Sequence, residues 1–149
     1  MIYTELTKKA MRIAFEVHKD QSDKGGIPYI AHPLHLAEQM EDENSTIAAL
    51  LHDVIEDSDG KYSIKKLKED GFPEEAVEAV KALTHKKNVP YMKYIENIKP
   101  NEIARKVKIA DLEHNLTISR LGNIDERTSK KLEKYHEAKA FLEEKEAMF

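Results

Sequence analysis

The sequence contains no cysteine among its 149 residues, which excludes disulfide bonds, zinc sites built from thiolates and a cysteine nucleophile. It also lacks a strong excess of either charge, because its formal net charge is only -4 at pH 7. Such a balance provides no global attraction to nucleic acids or to anionic membranes. We therefore expect neither of these as a partner.

Long hydrophobic runs are missing as well. No apolar run approaches the roughly 20 residues that a membrane-spanning helix needs. Lys8, Lys9 and Arg12 interrupt the first stretch, which is unlike the apolar core of a secretory signal peptide. We expect a cytoplasmic protein, and the lack of cysteine is compatible with a reducing compartment. No feature of the sequence indicates an oligomeric state.

The sequence does contain helical periodicity along most of its length. Apolar residues make up 40% and charged residues 35% of the chain, and no repeat or long linker divides it. A loop rich in Gly and Pro over residues 20–33 follows the first helix, and Asn44-Ser45 is the predicted N-cap of the third. These patterns predict one all-α domain over residues 1–149. Helices are expected over residues 4–18, 33–40, 46–57, 64–71, 74–83, 91–98, 102–121 and 126–146.

Four residues in this helical frame have the chemistry of a metal site. They are His32, at the end of the Gly/Pro-rich loop, the adjacent pair His52-Asp53 in the third helix, and Asp111. Asp111 interrupts an apolar stripe, where an ionised carboxylate costs several kcal/mol unless it is paired or bound to a metal. Two imidazoles and two carboxylates suit Mn²⁺, or another divalent ion such as Fe²⁺, Zn²⁺ or Mg²⁺.

Two further carboxylates follow the His-Asp pair, with Glu56 one turn beyond His52 and Asp57 one turn beyond Asp53. A divalent ion would lower the pKa of a bound water and neutralise phosphate charge. Glu56 or Asp57 would then act as the general base or acid beside that water. The pattern therefore predicts a metal-dependent hydrolase.

Each of these features also has a plainer interpretation. Adjacent His and Asp often occur by chance, and a buried histidine usually satisfies a local hydrogen bond. Glu56 and Asp57 alone would be solvated charges at a helix end, and Asp111 alone would be a buried partner for Lys or Arg. Their joint occurrence favours a site.

The motifs KGGIPYIAHPLHLAEQM, AALLHDVIED, LT and VKIADLEHNL, in this order, resemble the HD-domain hydrolase part of RelA/SpoT-type alarmone enzymes. The resemblance runs from the first helix to Leu121, and in size the chain is similar to the small stand-alone alarmone hydrolases. It implies an all-helical HD domain that binds one Mn²⁺. It also implies release of pyrophosphate from the 3′-pyrophosphate of guanosine tetra- and pentaphosphate. A chain of this length would have no room for a synthetase domain.

Site roles follow from the resemblance by position. It implies metal ligation by His32, His52, Asp53 and Asp111, and water activation by Glu56 and Asp57. It further implies that the substrate, a small phosphorylated nucleotide, is contacted by three residues. These are Lys24, which precedes the two glycines, Tyr29 of the PYI-x-HP motif, and Asn115. Lys108, beside the metal-binding Asp, is a weaker candidate, because it could equally be a solvated surface charge.

One position departs from the family pattern. An arginine that packs against guanine commonly precedes the basic residue, whereas this chain has Asp23 there. A carboxylate cannot supply that stacking and repels phosphate. Two alternatives to the alarmone hydrolase therefore remain open. One is an HD-type phosphatase or nucleotidase acting on another phosphorylated nucleotide, and the other is a module that binds metal or nucleotide without catalysis.

Overall fold

The computed structural model describes residues 1–23, 25–119 and 125–144. Within these residues the regular elements are helices, joined by loops and one isolated bridge between Ser22 and Pro28, so the predicted all-α fold is confirmed. None of the described helices is both long enough and apolar enough to cross a membrane. In chain order the helices are α1 (Glu5–His18), α2 (Ala31–Glu38), α3 (Glu43–Leu51), α4 (Val54–Asp57), α5 (Ile64–Glu69), α6 (Glu74–Leu83), α7 (Tyr91–Ile98), α8 (Glu102–Ser119) and α9 (Glu126–Glu143).

Helix α3 is the centre of the bundle. Residues 45–51 are all buried, and the helix packs against α1, α2, α6 and α8. Residues 47–51 of this helix are all apolar, and a stretch that is apolar on every side is stable only when neighbours surround it. The carboxyl end of α3, and His52 directly after it, therefore lie inside the protein.

The start of α3 differs from the prediction. Asp42 is the N-cap, because its side chain accepts a hydrogen bond from the backbone N–H of Ser45 at 2.7 Å. Asn44 and Ser45 lie within the first turn, so the predicted cap at these residues is wrong. Asp is as good a cap as Asn or Ser, and propensity alone could not choose among three capping residues so close together.

The helix predicted over residues 46–57 is also not continuous. It ends at Leu51, and α4 begins at Val54, while Asp53 has φ -109° and ψ 2°. Neighbouring residues in an unbroken α-helix point about 100° apart. The break relaxes this constraint, and His52 and Asp53 both face the same group of polar side chains.

Several other boundaries shift by one to three residues. Helix α2 begins at Ala31, two residues before the predicted start at Pro33. The last helix, predicted to reach Glu146, ends at Glu143, and residues 145–149 lie outside the described part of the chain. Helix ends of this kind are set by local hydrogen bonds that periodicity does not reveal.

Replacing Asp42 by alanine is expected to lower the free energy of unfolding by about 1 kcal/mol, because the first turn of α3 loses its cap. The hydrogen bonds from Ser45 lower the pKa of the Asp42 carboxyl. The stabilisation is therefore full at neutral pH and is lost as the pH falls through that lowered pKa. Urea unfolding at pH 7 and at acidic pH measures both effects. Asn44→Ala is the matched control, and a larger loss there would contradict the assignment of the cap.

Candidate functional site

The structure brings together the four residues predicted as metal ligands. One ligand atom from each of His32, His52 and Asp53 lies within 4.8 Å of the other two. The Asp111 Oδ1 atom lies 2.7 Å from His32 Nε2 and 3.7 Å from His52 Nε2. The residues come from α2, from the break between α3 and α4, and from α8. Packing of α2 and α8 against α3 therefore assembles the cluster.

His52 is oriented by its own helix. Its Nδ1 donates a hydrogen bond to the carbonyl of Ala49 at 2.7 Å, so the second ring nitrogen has a free lone pair when the ring is neutral. That nitrogen, Nε2, is buried and has no hydrogen-bond partner in the described part of the chain, although Asp53 Oδ2 is only 3.0 Å away. A buried lone pair facing carboxylates is unfavourable unless a cation lies between them.

A proton can serve as that cation. Burial opposes a charge on the imidazole, but Asp53 and Asp111 outweigh it and raise the pKa of His52 well above its ordinary value. Burial likewise disfavours the Asp53 carboxylate, yet His52 lowers the pKa of Asp53 to about 2. The cluster therefore attracts positive charge, which is the property that a divalent-metal site requires.

His32 is held between Asp111 and a second imidazole. Its Nδ1 lies 2.6 Å from His114 Nδ1, and the two rings are stacked with their centroids 4.9 Å apart. Burial, followed by the charges of His32 and His35, lowers the pKa of His114 to about 4. His114 is therefore neutral at pH 7, and its Nδ1 can accept a hydrogen bond from the Nδ1–H group of His32. In that tautomer the lone pair of His32 Nε2, beside Asp111 Oδ1, is available to a metal ion.

Asp111 is buried, and both of its carboxylate oxygens have polar contacts. Lys108 Nζ donates to its Oδ2 at 2.9 Å, and Asn115 Nδ2 donates to its Oδ1 at 3.2 Å. Burial opposes the charge, but Lys108, with His32 and His52, lowers the pKa of Asp111 well below its ordinary value. Lys108 is not a solvated surface charge, because only 13% of its side chain is exposed. Asp111 is therefore compatible with both roles that the sequence allowed. Its Oδ2 pairs with Lys108, whereas its Oδ1 faces the two imidazoles of the predicted metal site.

Tyr29 contacts the cluster through its hydroxyl, which donates a hydrogen bond to Asp53 Oδ2. Burial and the charge of Asp53 raise the pKa of the Tyr29 hydroxyl, so it stays protonated and acts as a donor. The ring of Tyr29 packs between those of His18 and His32, with centroids 4.8 Å and 5.6 Å away. The hydroxyl thus contacts a predicted metal ligand, which the sequence did not indicate.

The two carboxylates beyond the His-Asp pair are held in different ways. Glu56 Oε1 accepts the backbone N–H of His85 at 2.5 Å, and Asp57 Oδ2 accepts the side-chain amide of Gln21 at 3.3 Å. Partial burial and the negative charge of Asp53 raise the pKa of both carboxyls above their ordinary values, against the effect of these hydrogen bonds. A raised pKa makes each of these carboxylates a stronger base than an ordinary one.

The remaining predicted contacts have mixed outcomes. Lys24 lies outside the described residues. Asn115 donates to Asp111, and its predicted contact with substrate stays a prediction. The carboxylate of Asp23 accepts backbone N–H groups of Gly25 and Ile27 at 2.8 Å and 3.0 Å, so it closes the loop before α2.

Comparison with known proteins adds independent findings. A family model described as HD domain matches residues 10–116. The chain is 39% identical over 93 residues to a guanosine-3′,5′-bis(diphosphate) 3′-pyrophosphohydrolase of Aquifex aeolicus, covering 60% of this chain and 13% of the relative. It is 42% identical over 59 residues to the bifunctional (p)ppGpp synthase/hydrolase SpoT of Escherichia coli, covering 37% and 8%. A GTP pyrophosphokinase of Myxococcus xanthus is 43% identical over 58 residues, covering 36% and 8%.

These relatives are much longer proteins, since the chain spans about an eighth of their length or less. Their names include both a hydrolase and a synthase, so similarity alone does not choose between those activities. The choice depends on the residues of the site itself.

Proposed function

The chain belongs to the HD domain family, and we propose that it is a metal-dependent phosphohydrolase that releases pyrophosphate from a 3′-pyrophosphorylated guanosine nucleotide. The resemblance to RelA/SpoT-type hydrolases and the matches to proteins named as 3′-pyrophosphohydrolases support this activity. The motifs for metal binding and proton transfer lie within the matched residues.

One observation carries the proposal, namely the buried Nε2 atom of His52. As a neutral imidazole nitrogen it has no hydrogen-bond partner among the described residues, and it lies 3.0 Å from Asp53 Oδ2 and 3.7 Å from Asp111 Oδ1. A structural core histidine would find a donor or acceptor for that atom. An imidazole nitrogen that is left free among carboxylates instead fits a divalent cation, with His32 as the second nitrogen ligand.

The ligand set supports Mn²⁺ as the cofactor. Two imidazoles and two carboxylates mix nitrogen and oxygen donors, which suits Mn²⁺, Fe²⁺ or Zn²⁺ better than Mg²⁺, an ion that prefers oxygen alone. When bound, such an ion supplies Lewis-acid activation of water and neutralisation of phosphate charge. His32, His52, Asp53 and Asp111 would hold it.

Glu56 and Asp57 would carry the protons. Hydrolysis adds water to a phosphorus atom and breaks its bond to the 3′ oxygen, so one proton must leave the water and one must reach that oxygen. Glu56 has one oxygen anchored by His85 and a second available, and Asp57 is similarly anchored by Gln21. Burial and the charge of Asp53 raise the pKa of each carboxyl, which makes each a stronger base than an ordinary carboxylate.

The substrate contacts proposed here are Tyr29, Asn115 and Lys24. Tyr29 is of particular interest, because its ring can line the pocket while its hydroxyl orients Asp53.

Tyr29→Phe keeps the ring and removes the donor. We expect the affinity for Mn²⁺ to fall about tenfold, as for other outer partners of ligating side chains. Calorimetric titration measures this, with Tyr62→Phe, remote from the cluster, as the control; an unchanged affinity would refute the orienting role.

A direct assay tests the function. Protein loaded with Mn²⁺ should release pyrophosphate from guanosine tetraphosphate, and the same protein treated with a chelator should not. A His52→Ala variant provides the matched negative control. Absence of turnover by the wild-type protein with Mn²⁺ bound would eliminate this substrate.

The position of Asp23 supports a second candidate, a phosphohydrolase acting on a different nucleotide. Its carboxylate closes the loop and provides no cation for stacking against guanine. A panel of nucleoside mono-, di- and triphosphates separates the two candidates, because the second requires turnover without a 3′-pyrophosphate. Nucleotide binding without turnover of any of these compounds would instead favour a non-catalytic module.

A further inference from the structure

A polar bridge connects the end of α1 to Asp57 on α4. His18, the last residue of α1, is completely buried, and its Nδ1 lies 2.9 Å from the side-chain oxygen of Gln21. The amide nitrogen of the same Gln21 lies 3.3 Å from Asp57 Oδ2. The amide therefore joins a buried imidazole to one of the two proposed proton-transfer carboxylates.

Simple hydrogen-bond chemistry fixes the direction of this bridge. A carboxylate oxygen only accepts, so the amide must turn its NH₂ group toward Asp57 and its oxygen toward His18. That oxygen also only accepts, so the proton of His18 must be on Nδ1. The other ring nitrogen, Nε2, is buried and has no partner among the described residues, which is less costly for an unprotonated nitrogen than for an N–H group.

Asp57 needs such an anchor more than Glu56 does. Helix α4 has only four residues, and Asp57 is the last of them, with 30% of its side chain exposed. Glu56 is held by a backbone N–H, whereas in the described structure the hydrogen bond to Asp57 comes from the side chain of Gln21. Gln21 in turn is held by His18, whose ring packs against that of Tyr29.

We propose that His18 and Gln21 are positioning residues that hold the Asp57 carboxylate in its orientation for proton transfer. This role rests on the proposed function, because it assigns a task to a carboxylate of the same site. His18 acts through Gln21, because its own Nδ1 lies 3.8 Å from Asp57 Oδ2, beyond hydrogen-bond distance. Neither residue needs to touch the metal or the substrate. The position of α1 thus affects the rate of the reaction, because it sets the orientation of the Asp57 carboxylate through the bridge.

The test compares variants that remove the hydrogen bonds of the bridge but leave no cavity in the core. Gln21→Met keeps the length of the side chain and removes both hydrogen bonds. We expect kcat for pyrophosphate release to fall about tenfold, with KM and Mn²⁺ affinity unchanged. Gln39→Met is the matched control, since Gln39 donates only to a backbone carbonyl of α2. His18→Leu should lower kcat in the same way, whereas His18→Asn, which retains a donor near the Nδ1 position, should recover part of the rate.

If Gln21 acts by positioning Asp57, the effect of Gln21→Met on kcat must depend on the presence of the Asp57 carboxylate. A general disturbance of the fold would lower kcat with or without it. In an Asp57→Asn background, assayed at high enzyme concentration, Gln21→Met should cause no further loss of kcat. An equal loss in both backgrounds, a change confined to KM, or no effect of Gln21→Met in the wild-type background would overturn the proposal.

Nuclear magnetic resonance of the His18 ring nitrogens distinguishes failure of the bridge from failure of the proposed function. We expect a fixed Nδ1–H tautomer in the wild-type protein that becomes mixed in Gln21→Met. An Nε2–H tautomer would overturn the bridge even in an active enzyme. If no nucleotide is turned over, the proposed function and the positioning role both fail, and a fixed Nδ1–H tautomer would then show that the bridge itself still forms.

Discussion

Asp111→Asn is expected to abolish measurable Mn²⁺ binding and to destabilise the metal-free protein by about 3 kcal/mol. Both effects have the same origin, the loss of a buried negative charge between two imidazoles and Lys108. Removal of the charge takes away one proposed metal ligand. It also leaves the ammonium group of Lys108 buried without a counter-ion, which is the costly way to break a buried ion pair.

Calorimetric titration with Mn²⁺ and urea unfolding in chelator measure the two effects separately. Glu113→Gln is the matched control, because Glu113 is on the same helix, is exposed and pairs only loosely with Lys139 at 3.7 Å. It should change stability by less than about 0.5 kcal/mol. Adding Lys108→Met to Asp111→Asn should restore much of the stability but none of the metal binding. Tight Mn²⁺ binding by Asp111→Asn would show that Asp111 is only an ion-pair partner.

The second large effect is expected at the carboxylates beyond the His-Asp pair. Glu56→Gln and Asp57→Asn should each lower kcat by about a hundredfold to ten-thousandfold, the range for a lost proton-transfer group. Mn²⁺ should still bind, because neither carboxylate belongs to the proposed ligand set. Retained binding with lost turnover would distinguish an enzyme from a module that only holds metal.

Single-turnover assays and metal titrations on the same preparations test this pair. Asp59→Asn is the matched control, since Asp59 is an exposed carboxylate near the same helix and asparagine tolerates its positive φ of 51°. It should leave both turnover and metal affinity unchanged. Loss of Mn²⁺ binding in Glu56→Gln or Asp57→Asn would instead make that carboxylate a metal ligand.

Much of the candidate site could be predicted because its chemistry is unusual in a helical core. Two imidazoles and two carboxylates at apolar positions have few explanations, and the motif order around them is specific. Lys108 was harder to interpret. Its spacing of three residues from Asp111 is compatible with an ion pair, but the same spacing occurs on solvated helix faces. Only its burial decides between these two environments.

His18 and Gln21 show a different difficulty. Their contacts with Asp57 cross from α1 to α4 over 36 residues of sequence for Gln21, and no periodicity reports such a contact. The break at His52-Asp53 was missed for a related reason, because residues 46–57 have helical periodicity throughout. His52 is oriented by a local hydrogen bond to the Ala49 carbonyl, whereas Asp53 accepts a long-range hydrogen bond from Tyr29, which no periodicity reports.

The amino-acid sequence by itself determined the helical class, the capping of α5 by Ser63, the starts of α6 and α7 after prolines, and the chemical identity of the proposed ligands. These properties depend on neighbours within a few turns of the chain. The tertiary structure alone decided which distant atoms meet, Tyr29 with Asp53 and Gln21 with Asp57, and that the Lys108–Asp111 pair is buried. These contacts form only when α1, α2 and the loop between them pack against α3 and α4, because side-chain distances across a bundle are set by packing and not by spacing along the chain.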